Sequence, residues 1–427
     1  MSQGFAPRRE VLGNGLTLIH QHNPASPAVV ASLSFAGGAM GEPADKAGVT
    51  TLMAAALRRG TEKRTKQDIG EILDFRGAHL RCSASRHSAS LVAKMRGADA
   101  PALFELMADC ARHPSFPEEE VEQLRGNRIT SLREDEDDPD VMANRGFREL
   151  LFPADHPYSA AVRGSVETID NVTRGDLAAV HAARFDPSAA LLVVVGDIAW
   201  DSAAELAAAH LGDWQGAALG GYRAAQVQVV DAPMTPPSER WHDMPDKAQV
   251  SLLMGHAGIR RDDVRFYAAA LMNSVLGRFA MGGRLGRVVR EEQGMAYYTY
   301  SGFAAGWGAG PFSVQAGVQP EHLDAAIASI REQIARTRET GVEASELDDA
   351  RAAAVGSLPR TLESNEGMAG LLHQIELFDL GWDYPSRYSE VMAAVDLDAA
   401  NAAALDLLHP EEMVLSAAGP VGDRSAN

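Results

Sequence analysis

Cysteine is nearly absent: Cys82 and Cys110 are the two in 427 residues. They cannot build a disulfide framework. The pair suits a reducing compartment, and both thiols read as apolar filler. Long apolar runs are also missing. A run such as Ala189 to Val195 holds seven residues, against about 20 for a membrane-spanning helix. The opening Met1-Ser2-Gln3-Gly4 leads into Arg8-Arg9-Glu10 without an apolar stretch. No secretory leader is expected there, and the chain reads as cytoplasmic. Basic charge is in the minority, with 39 Lys and Arg against 58 Asp and Glu and a net charge of −19. That balance opposes nucleic acid and anionic membranes as partners, and is read as a solubility device. No Gly-x-Ser-x-Gly elbow surrounds any serine, which leaves an independent serine hydrolase without support. The glycine-rich stretch Gly277 to Gly283 lacks Gly-Lys-Ser/Thr and is no phosphate loop.

What is present is an internal echo. Pro187-Ser-Ala-Ala-Leu-Leu-Val-Val-Val-Gly196 and Pro410-Glu-Glu-Met-Val-Leu-Ser-Ala-Ala-Gly419 share a proline, a mostly apolar run and a closing glycine, 223 residues apart. Both read as buried strands. Nearly the same offset carries the helix-like 266–276 onto 48–57, so a two-fold repeat of about 200 residues is expected. Three prolines in Pro233-Met-Thr-Pro-Pro237 cannot sit in a helix or a central strand. The boundaries are read as an N-terminal domain at 1–215, a linker at 216–238 and a C-terminal domain at 239–427. Strands are expected at 11–20 (a hairpin about Asn14-Gly15), 28–35, 83–95, 248–255 and 312–318. Helices are expected at 48–57, 65–75, 102–112, 117–134 and 321–340. Strands followed by helices, twice over, mean α+β: two tandem repeats of an antiparallel-rich sheet covered by helices.

The stretch Gly48-Val-Thr-Thr51-Leu-Met-Ala54-Ala55, with Gly60-Thr61 beyond it, resembles the inverted zinc motif of the pitrilysin and insulinase family, to which the mitochondrial processing peptidase belongs. That motif is His-x-x-Glu-His. On a helix its members share one face, two His hold zinc and Glu activates water. The resemblance puts Thr51, Ala54 and Ala55 at those positions, and Ser131 at the family's third ligand, a Glu. None can hold the metal, so no zinc is expected in this chain. His156-Pro-Tyr158 with Gly164 to Ile169 continues the likeness, and His156 is read as a locally packed loop residue. The pair His20 and His22 is read as chance.

Gly282-Gly283-Arg284-Leu285, then Arg290-Glu291, then Gly294-Met-Ala-Tyr297 resemble the family's second signature. Gly283 stands where Ser is frequent. The resemblance implies half of a clamshell in which Arg290 and Tyr297 reach toward the zinc site of another half. Arg290 would hold a substrate carbonyl or carboxylate, and Tyr297 would donate to the developing oxyanion. Gly282, Gly283 and Arg284 are candidates for substrate contact, with a plain helix-to-helix turn as the alternative. The resemblance covers about residues 8–421. It implies the non-catalytic subunit of a heterodimeric zinc metallopeptidase, inactive alone. The expected partners are a homologous zinc-bearing subunit and a peptide substrate. Processing of the pyrroloquinoline quinone precursor is one such role. The rival reading is a peptidase-like scaffold or homodimer, akin to the core proteins of the mitochondrial cytochrome bc complex, without a part in proteolysis.

Overall fold

A computed structural model describes residues 5–231, 234–278 and 283–426. The first sheet takes strands β1 (Arg8–Val11), β2 (Thr17–His22), β3 (Ala28–Ala36), β4 (His79–Ala84), β5 (Ser88–Arg96) and β6 (Ala190–Gly196), in the order β1-β2-β6-β3-β5-β4. The second takes β7 (Glu239–Asp243), β8 (Val250–Ala257), β9 (Ala296–Phe303), β10 (Pro311–Val318) and β11 (Val414–Gly419), in the order β7-β11-β8-β10-β9. Leaving out β1, the two sheets share one topology. In each, one parallel pair (β2 with β6, β7 with β11) is followed by antiparallel neighbours. Strands β6 and β11, matched in the sequence as repeats, hold the same place. Their closing glycines, Gly196 and Gly419, have φ of 143° and 140°, a conformation that favours glycine.

The helices in chain order are α1 (Val49–Ala56), α2 (Lys66–Arg76), α3 (Ala100–Arg112), α4 (Glu118–Asp135), α5 (Pro139–Leu151), α6 (Val166–Asp170), α7 (Arg174–Arg184), α8 (Trp200–Leu211), α9 (Phe266–Asn273), α10 (Leu323–Thr340), α11 (Ala344–Leu362), α12 (Asn365–Phe378), α13 (Tyr384–Ala393) and α14 (Leu397–Leu407). Their boundaries follow local chemistry. Helix α2 starts at a capping box between Thr65 and Asp68 and ends at left-handed Gly77. The expected single strand at 83–95 is a hairpin instead. The Ser85 hydroxyl accepts the backbone N–H of His87 and of Ser88, which folds the chain back between β4 and β5.

The compact units are not the two halves of the sequence. The first comprises Met1–Ser131, Ala161–Val227 and Leu358–Ser386, and the second Leu132–Ala160, Gln228–Ser357 and Arg387–Asn427. Each repeat sends one helix to the other's sheet: α5 lies on β11 and β8, and α12 on β6 and β3. The spacing that relates Gly196 to Gly419 also brings α12 onto the span of α5. Close approach is built in, since a Cβ on Gly146 of α5 would collide with Ser416 Oγ of β11. This exchange is why β6 and β11 are buried along their whole length. Leu192 and Val194 enter the core formed with α1 and α3, while Val193 and Val195 lie on the face that α12 covers.

The stretch read as a linker is anchored. Ser188 Oγ accepts the Leu219 N–H at 2.7 Å, and buried Tyr222 is hydrogen-bonded through its hydroxyl to His373 Nε2 of α12 at 2.7 Å. Burial pushes the His373 imidazole down to about 4. His256, buried on β8, is likewise pushed down to about 4 by burial. Its Nδ1 donates to the Ala257 carbonyl and its Nε2 accepts the His409 N–H, so the neutral ring is satisfied and a second proton is not. Both folded values lie below the unfolded value of about 6.5. The stability they confer is complete above that value and is lost as pH falls toward 4, by about 1.4 kcal/mol per pH unit for each ring. Urea midpoints are expected to drop between pH 6.5 and 5 by the equivalent of about 3–4 kcal/mol. A flat profile over that window would refute the assignment.

Candidate functional site

The site begins at helix α1, whose N-terminus lacks a capping side chain of its own. Glu42 supplies one from outside: its carboxylate accepts the Gly48 N–H at 2.8 Å and the Thr50 N–H at 2.7 Å. Its partly desolvated carboxyl is raised above the ordinary range, first by burial. An anion against the positive end of the helix fixes the turn that carries Thr51. Thr51 Oγ1 donates to the Gly48 carbonyl at 2.8 Å and accepts from Arg128 Nη1 at 2.9 Å. Arg128 also reaches the Arg163 carbonyl at 3.3 Å, and Arg163 Nη2 donates to Ser131 Oγ at 2.7 Å. Ala54 is fully buried and Ala55 half-buried. The fold therefore does bring Thr51 and Ser131 to one place, linked by two guanidinium groups. Sequence reading missed Arg128 and Arg163, although Arg128 stands one helical turn before Ser131 on α4.

A metal ion needs lone pairs, and here hydroxyls engaged by cations stand where they would be. The described residues bring one cluster of metal-type donors together, His409, Glu411 and Glu412, on the turn before β11 in the second unit; there Glu411 lies 3.5 Å from Arg338. Restoring Thr51→His, Ala54→Glu, Ala55→His and Ser131→Glu should thus give weak zinc binding. A dication about 5–10 Å from one guanidinium costs about 3–7 kcal/mol at an effective dielectric of about 20. Adding Arg128→Met and Arg163→Met should tighten zinc at least about a hundredfold, as measured by competition with a chelating dye. Equal affinity in both backgrounds would exclude the cations as the obstacle.

In the second unit the chain makes a π-helical stretch, Gly286–Glu292, before β9. Such turns recur at functional sites. It carries Arg290, half-buried. Tyr297 follows on β9, the edge strand of its sheet. The register runs Val318↔Ala296 and Gly317↔Tyr298, so Tyr297 is the extra residue of a β-bulge. A bulge re-aims one side chain away from the ladder. Tyr297 is 62% exposed, and its hydroxyl has no hydrogen-bond partner among the described residues. Its neighbours are tied down: Tyr298 donates to Asp140 at 2.7 Å and Tyr300 to Gln315 at 2.6 Å. Burial and the Asp140 carboxylate push the Tyr298 phenol up to about 12.

Gly282 lies outside the described residues. Gly283 is buried against the backbone of Gly277, and a Cβ on it would stand 2.8 Å from Gly277 Cα. The two glycines thus pack backbone against backbone. Arg284 has its guanidinium committed within the unit, to both Glu346 oxygens at 3.0 and 2.6 Å, to Thr337 Oγ1 at 3.2 Å and to the Gly341 carbonyl at 3.0 Å. It ties the start of this segment to α10 and α11, which leaves its fork turned inward. His156 packs locally, as expected: its ring stacks on Phe152 and bonds the Val230 carbonyl, while Tyr158 accepts the Gly308 N–H.

Two family models match the chain. Residues 17–147 match the insulinase family, peptidase family M16, and residues 171–354 match the peptidase M16 inactive domain. The chain belongs to the M16 peptidase family. An uncharacterized zinc protease of Streptomyces coelicolor is 24% identical over 98% of this chain and 91% of its own length. The beta subunit of the mitochondrial-processing peptidase of Neurospora crassa is 24% identical over 48% of this chain and 43% of its own length. A crystal structure described as the peptidase M16 inactive domain from Pseudomonas fluorescens matches with a TM-score of 0.89, 24% identity, and 97% and 98% of the two chains; that likeness is one of fold. The chain is thus a peptidase-like M16 member without the zinc motif. Among the described residues no helix is long and apolar enough to cross a membrane.

Proposed function

We propose that this chain is the non-catalytic subunit of a two-chain zinc peptidase, acting on peptides together with a homologous zinc-bearing subunit. One observation carries the reading: Tyr297 is bulged out of an edge strand with its hydroxyl unpartnered, directly after the π-helical stretch that carries Arg290. An exposed phenol so placed is free to donate to a bound group, and an oxyanion needs a donor aimed from outside the metal's own ligands. The guanidinium-bonded hydroxyls at Thr51 and Ser131 support the complementary half of the reading, that the metal belongs to the partner. Zinc there would polarise the peptide carbonyl and acidify a bound water. Arg290 would bind substrate through its fork of donors, and Tyr297 would donate to charge that develops during attack.

The test is reconstitution. The chain alone should cleave no peptide. Mixed with a homologue of similar length that retains His-x-x-Glu-His, it should raise turnover by orders of magnitude. A partner that works equally well without it would sink the reading and leave the scaffold.

A further inference from the structure

We propose that the turn ahead of β11 is a site for one divalent transition-metal ion, held by His409, Glu411 and Glu412. The inference is independent of the subunit reading. The site belongs to the second unit, whereas Thr51 and Ser131 belong to the first. One donor atom from each of the three side chains lies within 4.8 Å of the other two.

The local sequence explains the convergence. Helix α14 ends at Leu407, and Pro410 opens a 3₁₀ turn, Pro410–Glu412, that leads into β11. The Glu412 N–H donates to the His409 carbonyl at 3.0 Å and closes the turn. Residues three apart in such a turn stand one above the other, so His409 and Glu412 share a side. Glu411, exposed between them, adds a second carboxylate. Buried His256 fixes the turn from below: its Nε2 accepts the His409 N–H at 3.2 Å, and the two rings meet edge to face at 5.1 Å. Zinc holds nitrogen and oxygen at about 2.0–2.2 Å, which sets tetrahedral ligand atoms about 3.4 Å apart. Rotation of the flexible Glu side chains closes the difference without moving the backbone.

Unspent donor capacity points to a ligand. Neither ring nitrogen of His409 and neither carboxylate oxygen of Glu412 has a hydrogen-bond partner among the described residues. Glu412 is half-buried, so its charge loses water without gaining a donor. The Glu411 carboxylate beside it repels it. One cation is near, Arg338, 3.5 Å from Glu411, and its Nε is spent on the Leu405 carbonyl at 3.3 Å. A single guanidinium against two carboxylates leaves the cluster negative, which favours a dication. The donor set then selects the ion. Three protein ligands leave an open position for water. An imidazole with two carboxylates suits zinc, and cobalt or manganese less well by the usual order of affinities. Calcium and magnesium favour all-oxygen sets. Once bound, the ion fastens the end of α14 to the start of β11, an internal strand of its sheet.

The test uses the full chain, stripped of metal by a chelator that is then dialysed away. Isothermal titration calorimetry with zinc chloride should show one ion per chain in the micromolar range, and zinc should raise the melting temperature. Calcium chloride should bind at least about a hundredfold more weakly. His409→Gln and Glu412→Gln keep the backbone and nearly the volume. Each should weaken zinc at least about tenfold, with the metal-free melting temperature unchanged. Arg338→Gln should act in the opposite direction and tighten zinc at least about threefold, because it removes the cation that competes for Glu411. A merely acidic surface patch would bind calcium as well as zinc and be indifferent to His409→Gln. That result, an absence of zinc binding, or His409→Gln and Glu412→Gln chains that bind as wild type would overturn the proposal. No partner or peptide enters the experiment, so its outcome is separate from turnover of the reconstituted pair.

Discussion

In a reconstituted pair, Tyr297→Phe is expected to lower turnover by about 10–1000-fold, or roughly 1.4–4 kcal/mol of transition-state stabilisation. The substitution removes one hydroxyl from a residue that is 62% exposed, so neither packing nor strand pairing should change. Its position as the extra residue of the bulge means that no ladder hydrogen bond depends on it. Substrate affinity should move little, because a donor that meets only the oxyanion contributes in the transition state alone. Arg290→Ala should instead weaken substrate binding and turnover together, since a charged fork holds ground state and transition state alike. Steady-state kinetics with wild-type and variant subunits separates the two patterns. Wild-type rates in both variants would make Arg290 and Tyr297 packing residues, and the chain a scaffold.

The other large effect concerns the fold. Val194→Lys is expected to abolish stable folding of the first unit. Val194 is fully buried, pairs with His20 of β2 on one side and Ala31 of β3 on the other, and points into the core with Leu192. The residues it packs with in that cluster are apolar, so an ammonium group there would be buried among hydrocarbon. The cost exceeds about 5 kcal/mol, comparable to the whole stability of a typical domain. Val194→Ala, which leaves a small cavity, should cost about 2–3 kcal/mol and serves as the folded control. Soluble yield and urea unfolding distinguish the two. A Val194→Lys chain that unfolds like wild type would contradict burial of β6.

Much of this was legible because it rests on local or periodic chemistry. The apolar run Leu191 to Val195, bounded by Pro187 and Gly196, reads as a buried strand, and its echo before Gly419 marked a strand of the second sheet. Thr65 with Asp68 announced the start of α2. The lack of His or carboxylate at Thr51, Ala54, Ala55 and Ser131 was visible by inspection. The hairpin within 83–95 was not, because Ser85 turns the chain with a hydroxyl, without the glycine that signals most tight turns.

Composition and pattern by themselves determined that this is a repeated α+β chain; it was the resemblance of its motifs to the M16 family that set Thr51, Ala54, Ala55 and Ser131 at the family's metal-site positions and matched Arg290 and Tyr297 to its second signature. Only the tertiary structure decided that α5 and α12 change places, because the face a helix covers depends on which sheet it meets and not on its own amphipathic pattern. It alone decided that Arg128 and Arg163 hold Thr51 and Ser131, which lie 80 residues apart in sequence. It also separated Arg284 from Tyr297: the first turned inward onto Glu346, the second placed on a bulge with its hydroxyl exposed. Sequence names the donors a chain possesses. Which of them are already engaged depends on contacts between residues far apart in the chain, and those exist only once it has folded.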